Sequence, residues 1–410
     1  MSHAQRVVVT GLGQVSSLGT DLRSFADRLF AGRPGVSDIL GLEAPGLERP
    51  IGAAIPSFDL KAFHPSRALQ NASPVTQYAY AAASQAFESA RLERLDRPRG
   101  GVFVGSGFGG LISSEECYKS CFSTPGQRPK PSVIPTAMSN ASAGFLASEL
   151  RLKGPNLTFC VACASGTHAI GQAYRLLRAG DADLMLAGGV DAPLTQIILA
   201  AWNAMRVLAP RGPDPTRASR PFSRDRQGLV IGEGAGFIIL ETLEHAERRE
   251  APVLAEIVGY GMNADAGHIT HPDADGVRNC LRLALEDARL EPSAIGYINA
   301  HGTGTVVNDR VEAEAIAAVF GDHARRLLVS STKSVHGHAM GASGGLEAIA
   351  TVLALVEGRI PPTANLREVD PELPPLDFVP LVARKAAVEY ALSNSFAFGG
   401  NNAVLAFRRT

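Results

Sequence analysis

The chain has 410 residues, with 39 Lys plus Arg against 40 Asp plus Glu and a formal net charge of -1. Hydrophobic residues make up 45% and charged residues 19%, which excludes a disordered chain or a coiled coil, and near-neutrality argues against binding nucleic acid by phosphate neutralisation. At ~150 residues per domain the length calls for two domains or one double-cored body, and 5 cysteines make no disulfide framework, which points to a reduced, cytoplasmic protein.

Met1 to Arg6 leads straight into Val7-Val8-Val9-Thr10-Gly11, with no export-signal apolar region and no uninterrupted apolar stretch of the ~20 residues a bilayer requires. Short apolar runs ending in glycine, Val7–Gly11, Val102–Gly105 and Leu184–Gly188, together with Phe237–Leu240, read as strands buried on both faces. Alanine-rich helical patterns over Gln77–Leu92 and Ala164–Ala179 lie between them, so the expected class is α/β. Leu157 to Val161 reads as a further buried strand with Cys160 facing the core. Arg206, Arg211, Arg217, Arg220, Arg224 and Arg226 crowd one proline-stiffened segment against only Asp214 and Asp225, either a solvated loop or a local basic surface for an acidic partner. The stretch Val253–Gly259, followed by Gly261, faintly repeats the opening Val7–Gly13 pattern and suggests two related halves, residues 1–250 and 251–410. Leu346 to Val356, interrupted by Glu347, is a core-helix candidate.

Cys163 stands apart from the other cysteines by its setting. The small residues Ala162 to Gly166 follow the Leu157–Val161 strand and open a helix in which Ile170, Ala173, Tyr174 and Leu177 recur at helical spacing, with Gly180 as the stop. A thiol on such a turn is open to substrate, and a helix N-terminus is expected to lower its pKa, as an acyl-transfer nucleophile needs. Taken alone it reads equally as a small buried hydrophobe, the reading given to Cys117, Cys121, Cys160 and Cys280. Two histidine motifs shift the balance. Tyr297 to Ala300 reads as a strand ending in His301-Gly302-Thr303-Gly304-Thr305, and Leu327 to Ser330 as a strand running toward Lys333-Ser334-Val335-His336-Gly337-His338. Each puts a histidine just past a strand's C-terminal end, where α/β sites collect.

Val161–Gly166, His301–Thr305, Lys333–His338 and the loop Asn394–Gly400, in that order, resemble the motifs of the β-ketoacyl-acyl carrier protein synthases, and the likeness runs from Val8 to the C-terminal loop. With His338 in the second partner position, the chain is most similar to the elongating Cys-His-His type. The resemblance implies a thiolase fold, two duplicated α/β halves stacked in five αβαβα layers, acting as a dimer in decarboxylative Claisen condensation. Cys163 would take an acyl chain from the phosphopantetheine of an acyl carrier protein. His301 and His338 would donate to the enolate oxygen formed from malonyl-carrier protein, and the backbone amides of Cys163 and Phe398 would hold the tetrahedral oxyanion. Lys333 and Glu312 match positions that organise the histidines, a Lys–Glu ion pair being the plainer reading. Thr303 and Thr305 would bind the arm, and Phe108, Trp202 and Phe398 would line or gate the acyl pocket, with Trp202 limiting the chain. Arg206 would dock the acidic carrier. No metal or cofactor is implied.

Ala397, Asn401, Asp191-Ala-Pro193 and Asn308-Asp-Arg310 depart from the housekeeping pattern and look more like ketosynthase subunits of type II polyketide or polyene systems, which often pair with a cysteine-less chain-length partner. The expected assembly is therefore a homodimer or a heterodimer with a chain-length-factor-like subunit. Housekeeping fatty-acid elongation is the alternative within the family. Outside it, Gly105-Ser-Gly-Phe-Gly-Gly110 spells the fingerprint of an NAD-dependent oxidoreductase, yet no acidic residue follows at ~20 residues. The intact Cys163, His301 and His338 speak against a non-catalytic ketosynthase partner.

Overall fold

A computed structural model of the chain describes residues 4–93, 95, 97–124 and 126–410. Met1, Ser2 and His3, part of the stretch read for an export signal, lie outside the described residues. The main strands are β1 (Val7–Ser16), β2 (Gly100–Gly105), β3 (Asn156–Phe159), β4 (Leu184–Asp191), β5 (Gly234–Thr242), β6 (Ala255–Ala264), β7 (Ile295–Asn299), β8 (Leu328–Ser330), β9 (Asp377–Phe378), β10 (Tyr390–Ala397) and β11 (Asn401–Arg409). The helices that matter here are α1 (Pro74–Ser89), α2 (Leu111–Ser123), α3 (Ser165–Arg178), α4 (Gln196–Ala204), α5 (Ala274–Ala288), α6 (Val306–Phe320) and α7 (Ser343–Glu357).

The strands lie side by side as β9-β8-β7-β10-β11-β6-β1-β5-β4-β2-β3. The sets β3-β2-β4-β5-β1 and β8-β7-β10-β11-β6 have the same order and the same pairings, parallel at the outer end and antiparallel toward the middle. They meet where β1 runs antiparallel to β6, with Val8 opposite Glu256. The faint sequence repeat has a physical origin in this arrangement. A Cβ on Gly11 or Gly13 would stand 2.2 or 2.0 Å from a carbonyl oxygen of α1, and one on Gly259 or Gly261 would stand 2.6 or 2.4 Å from a carbonyl of α5. Each glycine pair lets an outer helix lie directly on its strand.

Side chains alternate along the central strands, as the apolar runs predicted. In β4, Leu184 and Leu186 join the cluster under α1, while Met185 and Ala187 join the one around α3 and α7. In β5, Phe237 and Ile239 face outward and Ile238 and Leu240 inward. The second set repeats the pattern, with Ile298, Leu392 and Val404 packed under α5 and α6 and Tyr297, Ala391 and Leu405 facing α7. Helices thus cover both outer faces, and α3 and α7 fill the centre, giving five layers. The window Met340–Glu357 has the length and apolarity of a membrane span, but 89% of it is buried inside the fold, as expected of a core helix.

Two expectations fail at the sheet's edge. The Leu157–Val161 run is not buried: β3 is an edge strand, Leu157 is 53% exposed, and Cys160 faces outward instead of into the core. An apolar strand read as internal is here one whose open side has no neighbour within the chain.

Candidate active site

Cys163 sits in the single tight turn Ala162–Ala164 that joins β3 to α3, and it is buried. Ala162 takes a left-handed φ of 49°, unusual for a residue with a Cβ, and this bend aims the turn away from the strand. The turn packs against the segment that follows β8, where a Cβ on Gly166 would meet the Gly341 carbonyl at 2.8 Å. The expected low thiol pKa is not met in the free site. Burial pushes the Cys163 thiol up to about 12, with Lys333 pulling it down and Asp191 and Glu347 adding to the rise. Removing the thiol from water outweighs the helix end.

His301 follows β7 and His338 follows β8, and their rings meet edge to face at 5.6 Å. Their hydrogen bonds fix the tautomers. The Met340 amide donates to His338 Nδ1 at 3.2 Å, so that nitrogen is an acceptor and Nε2 carries the proton. Lys333 Nζ stands 3.2 Å from His301 Nδ1, and an ammonium can only donate, so His301 is also protonated at Nε2. Burial, reinforced by the Lys333 charge, holds both rings well below the ordinary histidine range, and both are neutral donors at neutral pH.

Lys333 and Glu312 both hold His301, as the resemblance implied, and the plainer reading of the two as an ion pair falls. Lys333 is ion-paired with Glu347 on α7, and both are fully buried. Glu312 on α6 instead accepts from the His301 and Gly302 amides, each at 2.8 Å, and from Asn394 Nδ2 at 3.1 Å. It fixes the backbone that carries His301 and leaves the lysine free to reach the ring. Burial raises Glu312 and Glu347 each to about 7. Glu347 and Asn394 are functional positions that residue-by-residue reading missed. The signal for Glu347 was present, as the lone acid interrupting an apolar helix.

A cavity of about 470 Å3 leads to this cluster and is lined by Cys163, Trp202, His301, Thr303, Thr305, His338, Phe398 and Arg206 among others. Thr303 and Thr305 join their hydroxyls at 2.9 Å along one wall. Trp202 stacks on Phe398 with ring centres 5.6 Å apart. Lys333 and Glu312 lie behind His301, outside the lining. Phe108 does not line this cavity; it packs into the apolar cluster that joins Cys163, Trp202 and Leu199.

The Gly105–Gly110 fingerprint serves a local carboxylate. Asp191, fully buried at the end of β4, accepts from Ser106 Oγ and from the amides of Gly107, Phe108 and Gly341 at 2.6–3.0 Å. The amides that a pyrophosphate would need already hold this side chain, so the dinucleotide reading falls.

The arginine-rich segment is largely neutralised within the chain. Arg211 pairs with Asp38 at 2.5 Å, Arg220 with Asp225 at 3.2 Å and Arg224 with Glu368 at 2.9 Å. Arg226 is no surface group. It lies buried between Asp370, 2.6 Å away, and Asp309, 3.5 Å away. Asp309 in turn accepts from the Gly304 amide, beside Thr303 and Thr305. Arg226→Met is expected to destabilise the fold by about 3–5 kcal/mol through the unpaired Asp309, read as a fall in the urea midpoint that Asp309→Asn in the same chain partly recovers. A change below about 0.5 kcal/mol would mean the pair is solvated. Arg206 forms no ion pair among the described residues and stays exposed at the cavity's mouth.

Comparison with known proteins decides what this arrangement is. The profile described as "Beta-ketoacyl synthase, N-terminal domain" matches residues 4–246, and "Beta-ketoacyl synthase, C-terminal domain" matches residues 254–367. The chain belongs to the β-ketoacyl synthase family. The synthase is 41% identical over 409 residues to 3-oxoacyl-acyl-carrier-protein synthase 2 of Coxiella burnetii, covering 99% of each chain. It is 44% identical over 410 residues to Nodulation protein E of Rhizobium sp. strain N33, again over 99% of both. Among solved structures it is similar to the ishigamide ketosynthase/chain length factor, with a TM-score of 0.93, 37% identity, and coverage of 99% of this chain and 100% of that one. The architecture is the thiolase fold, and the protein is an acyltransferase of the ketosynthase class.

Proposed function

We propose that this synthase joins an acyl thioester to malonyl-acyl carrier protein, with Cys163 as acyl acceptor and His301 and His338 as enolate donors. The observation that carries the assignment is the pair of neutral imidazoles whose Nδ1 atoms are both engaged as acceptors, leaving two Nε2–H groups in the cavity that holds the Cys163 thiol. The Cys163 sulfur attacks the acyl thioester, the carrier thiol leaves with a proton, and the amides of Cys163 and Phe398 hold the tetrahedral oxyanion. Malonyl thioester then loses carbon dioxide, and its electron pair becomes an enolate whose oxygen accepts from the two histidines. The enolate carbon attacks the acyl group, and Cys163 leaves. Lys333 holds His301 in its donor form, Glu312 positions it, and Thr303 and Thr305 bind the arm. Trp202 stacked on Phe398 forms an aromatic wall of the cavity that meets the acyl chain, and Phe108 packs in the apolar cluster beside them. The chain supplies every group this chemistry uses, and the reading includes no metal and no cofactor.

The partner is an acyl carrier protein, and the subunits pair along the open edge of β3. Leu157 there, with exposed Tyr118 and Phe122 on α2 and Ile134 nearby, gives an apolar margin beside unpaired backbone. The pairing copy is a second synthase or a chain-length-factor-like subunit, a reading supported by likeness to the ishigamide ketosynthase/chain length factor, and the pathway is a specialised polyketide or polyene one in the cytoplasm, its polyketide character supported by likeness to a type II PKS ketosynthase. The matching strand orders and the gap between the two profile matches support a division into residues 1–250 and 251–410. Mass spectrometry after incubation with an acyl-carrier protein tests the central assignment, which requires the acyl mass on the Cys163 peptide. Arg206→Glu is expected to raise KM for acyl-carrier protein about tenfold with little effect on a pantetheine thioester; equal effects on both would remove Arg206 from docking.

A further inference from the structure

Asp191, the last residue of β4, is fully buried. Unlike buried Asp309 and Glu347, which face Arg226 and Lys333, it forms no ion pair among the described residues. A buried carboxylate without a cation costs stability unless hydrogen bonds satisfy it, and Asp191 accepts four. Oδ1 accepts from Ser106 Oγ at 2.7 Å and from the Phe108 amide at 3.0 Å. Oδ2 accepts from the Gly107 amide at 2.8 Å and from the Gly341 amide at 2.6 Å. The turn that follows β2 is thereby tied across to the segment just beyond His338.

That turn carries Phe108 between two glycines, Gly107 and Gly109, and Gly109 takes a left-handed φ of 53°. Flanked in this way, Phe108 is held little by the preferences of its own backbone and depends on the anchor. A Cβ on Gly107 would stand 3.2 Å from Asp191 Oδ2 and 3.7 Å from the Ala162 carbonyl, so the turn lies against the one that carries Cys163. Phe108 is half-buried and packs in the apolar cluster of Cys163, Leu199, Trp202 and Met340. With the arm along Thr303 and Thr305, an acyl chain on Cys163 has this cluster as its apolar surroundings. Where Phe108 stands decides how much of it a chain can enter.

We infer that Asp191 is a positioning residue that sets acyl-chain selectivity, by anchoring the turn of Phe108 to Gly341. This rests on the ketosynthase reading and adds to it a residue that touches no substrate yet governs which chain fits. Asparagine at this position separates the role from plain support of the fold. The Gly107, Phe108 and Gly341 amides can only donate, whereas the Ser106 hydroxyl can also accept. In Asp191→Asn the side-chain NH2 therefore turns to Ser106 in place of Oδ1, and the remaining oxygen keeps Gly107 and Gly341. Only the Phe108 amide loses its acceptor, so the ring is loosened while the rest of the anchor stays.

The readout is acylation of Cys163 from carrier proteins loaded with a shorter and a longer acyl chain, as the ratio of kcat/KM for the longer to that for the shorter. With chains of about six and about twelve carbons, Asp191→Asn is expected to raise this ratio about fivefold, because a loosened ring leaves more apolar room. A role confined to stability would lower both rates by one factor and leave the ratio where it was. Phe108→Ala should also raise the ratio, and adding Asp191→Asn to it should raise it no further, since both act through one ring. Ser106→Ala keeps the carboxylate, removes one of its holds on the turn and should shift the ratio the same way, which keeps the test intact if Asp191→Asn does not fold. An unchanged ratio in the anchor variants that fold, or fully multiplicative effects of Asp191→Asn and Phe108→Ala, would overturn the inference alone. Failure of both carriers to acylate Cys163 in the unmodified protein would overturn the ketosynthase reading along with it.

Discussion

Cys163→Ala is expected to abolish acyl transfer, with a loss of about 10^4-fold or more in condensation, because no other group in the fold can take its place. Cys160 faces away from the site on the exposed edge, Cys280 lies in the cluster under α5, and Cys117 and Cys121 sit on α2. The substitution removes one sulfur from a turn already made of small residues, so the cavity and its histidines stay in place. Decarboxylation of malonyl-carrier protein should therefore persist, since neither imidazole draws its tautomer or position from the thiol: His301 is held by Lys333 and Glu312, and His338 by Met340. Mass spectrometry of the protein after exposure to acyl-carrier protein, together with carbon dioxide release from malonyl-carrier protein, reads both halves. Normal acylation of the variant would sink the assignment of the nucleophile.

How much of this was legible beforehand depends on whether a property is local or tertiary. The buried strands were readable because alternating Leu184, Met185, Leu186 and Ala187 face apolar layers on both sides, which demands a continuous apolar run whichever residue faces which layer. The same run at Leu157 misled, since one-dimensional patterning does not tell a central strand from an edge strand. His301 was readable from its place just past β7, whereas His338 does not sit at the strand end but lies beyond a short helix, Lys333–His336, that follows β8. The ion pairs were not readable, because choosing Glu347 over Glu312 for Lys333 depends on α7 passing through the centre of the molecule. The pKa of Cys163 went the same way. The helix end is visible in the sequence, while the burial that outweighs it arises from Gly166 and Gly341 drawing two distant segments together.

Replacing His301 or His338 by alanine should cost about 10^2–10^3-fold in malonyl decarboxylation, the usual loss when one preorganised donor to a developing oxyanion is removed, while acylation of Cys163 changes far less. In the proposed reaction both histidines serve one oxygen, so the double variant is expected to lose less than the product of the single losses. His338→Asn, which returns an N–H donor to the site, should recover part of what His338→Ala loses. Because burial keeps both rings neutral, they need no titration to act, and the decarboxylation rate of the unmodified protein should show no inflection from histidine protonation between about pH 6 and about pH 8. A rate that fell with acid along an ordinary imidazole titration would mean that a histidine works as a base. Lys333 makes that costly for His301, since a proton arriving at its Nδ1 would face the ammonium 3.2 Å away. The lysine thus protects the donor form of the ring, and the Glu347 carboxylate on its far side is what lets a cation stand at the centre of the protein.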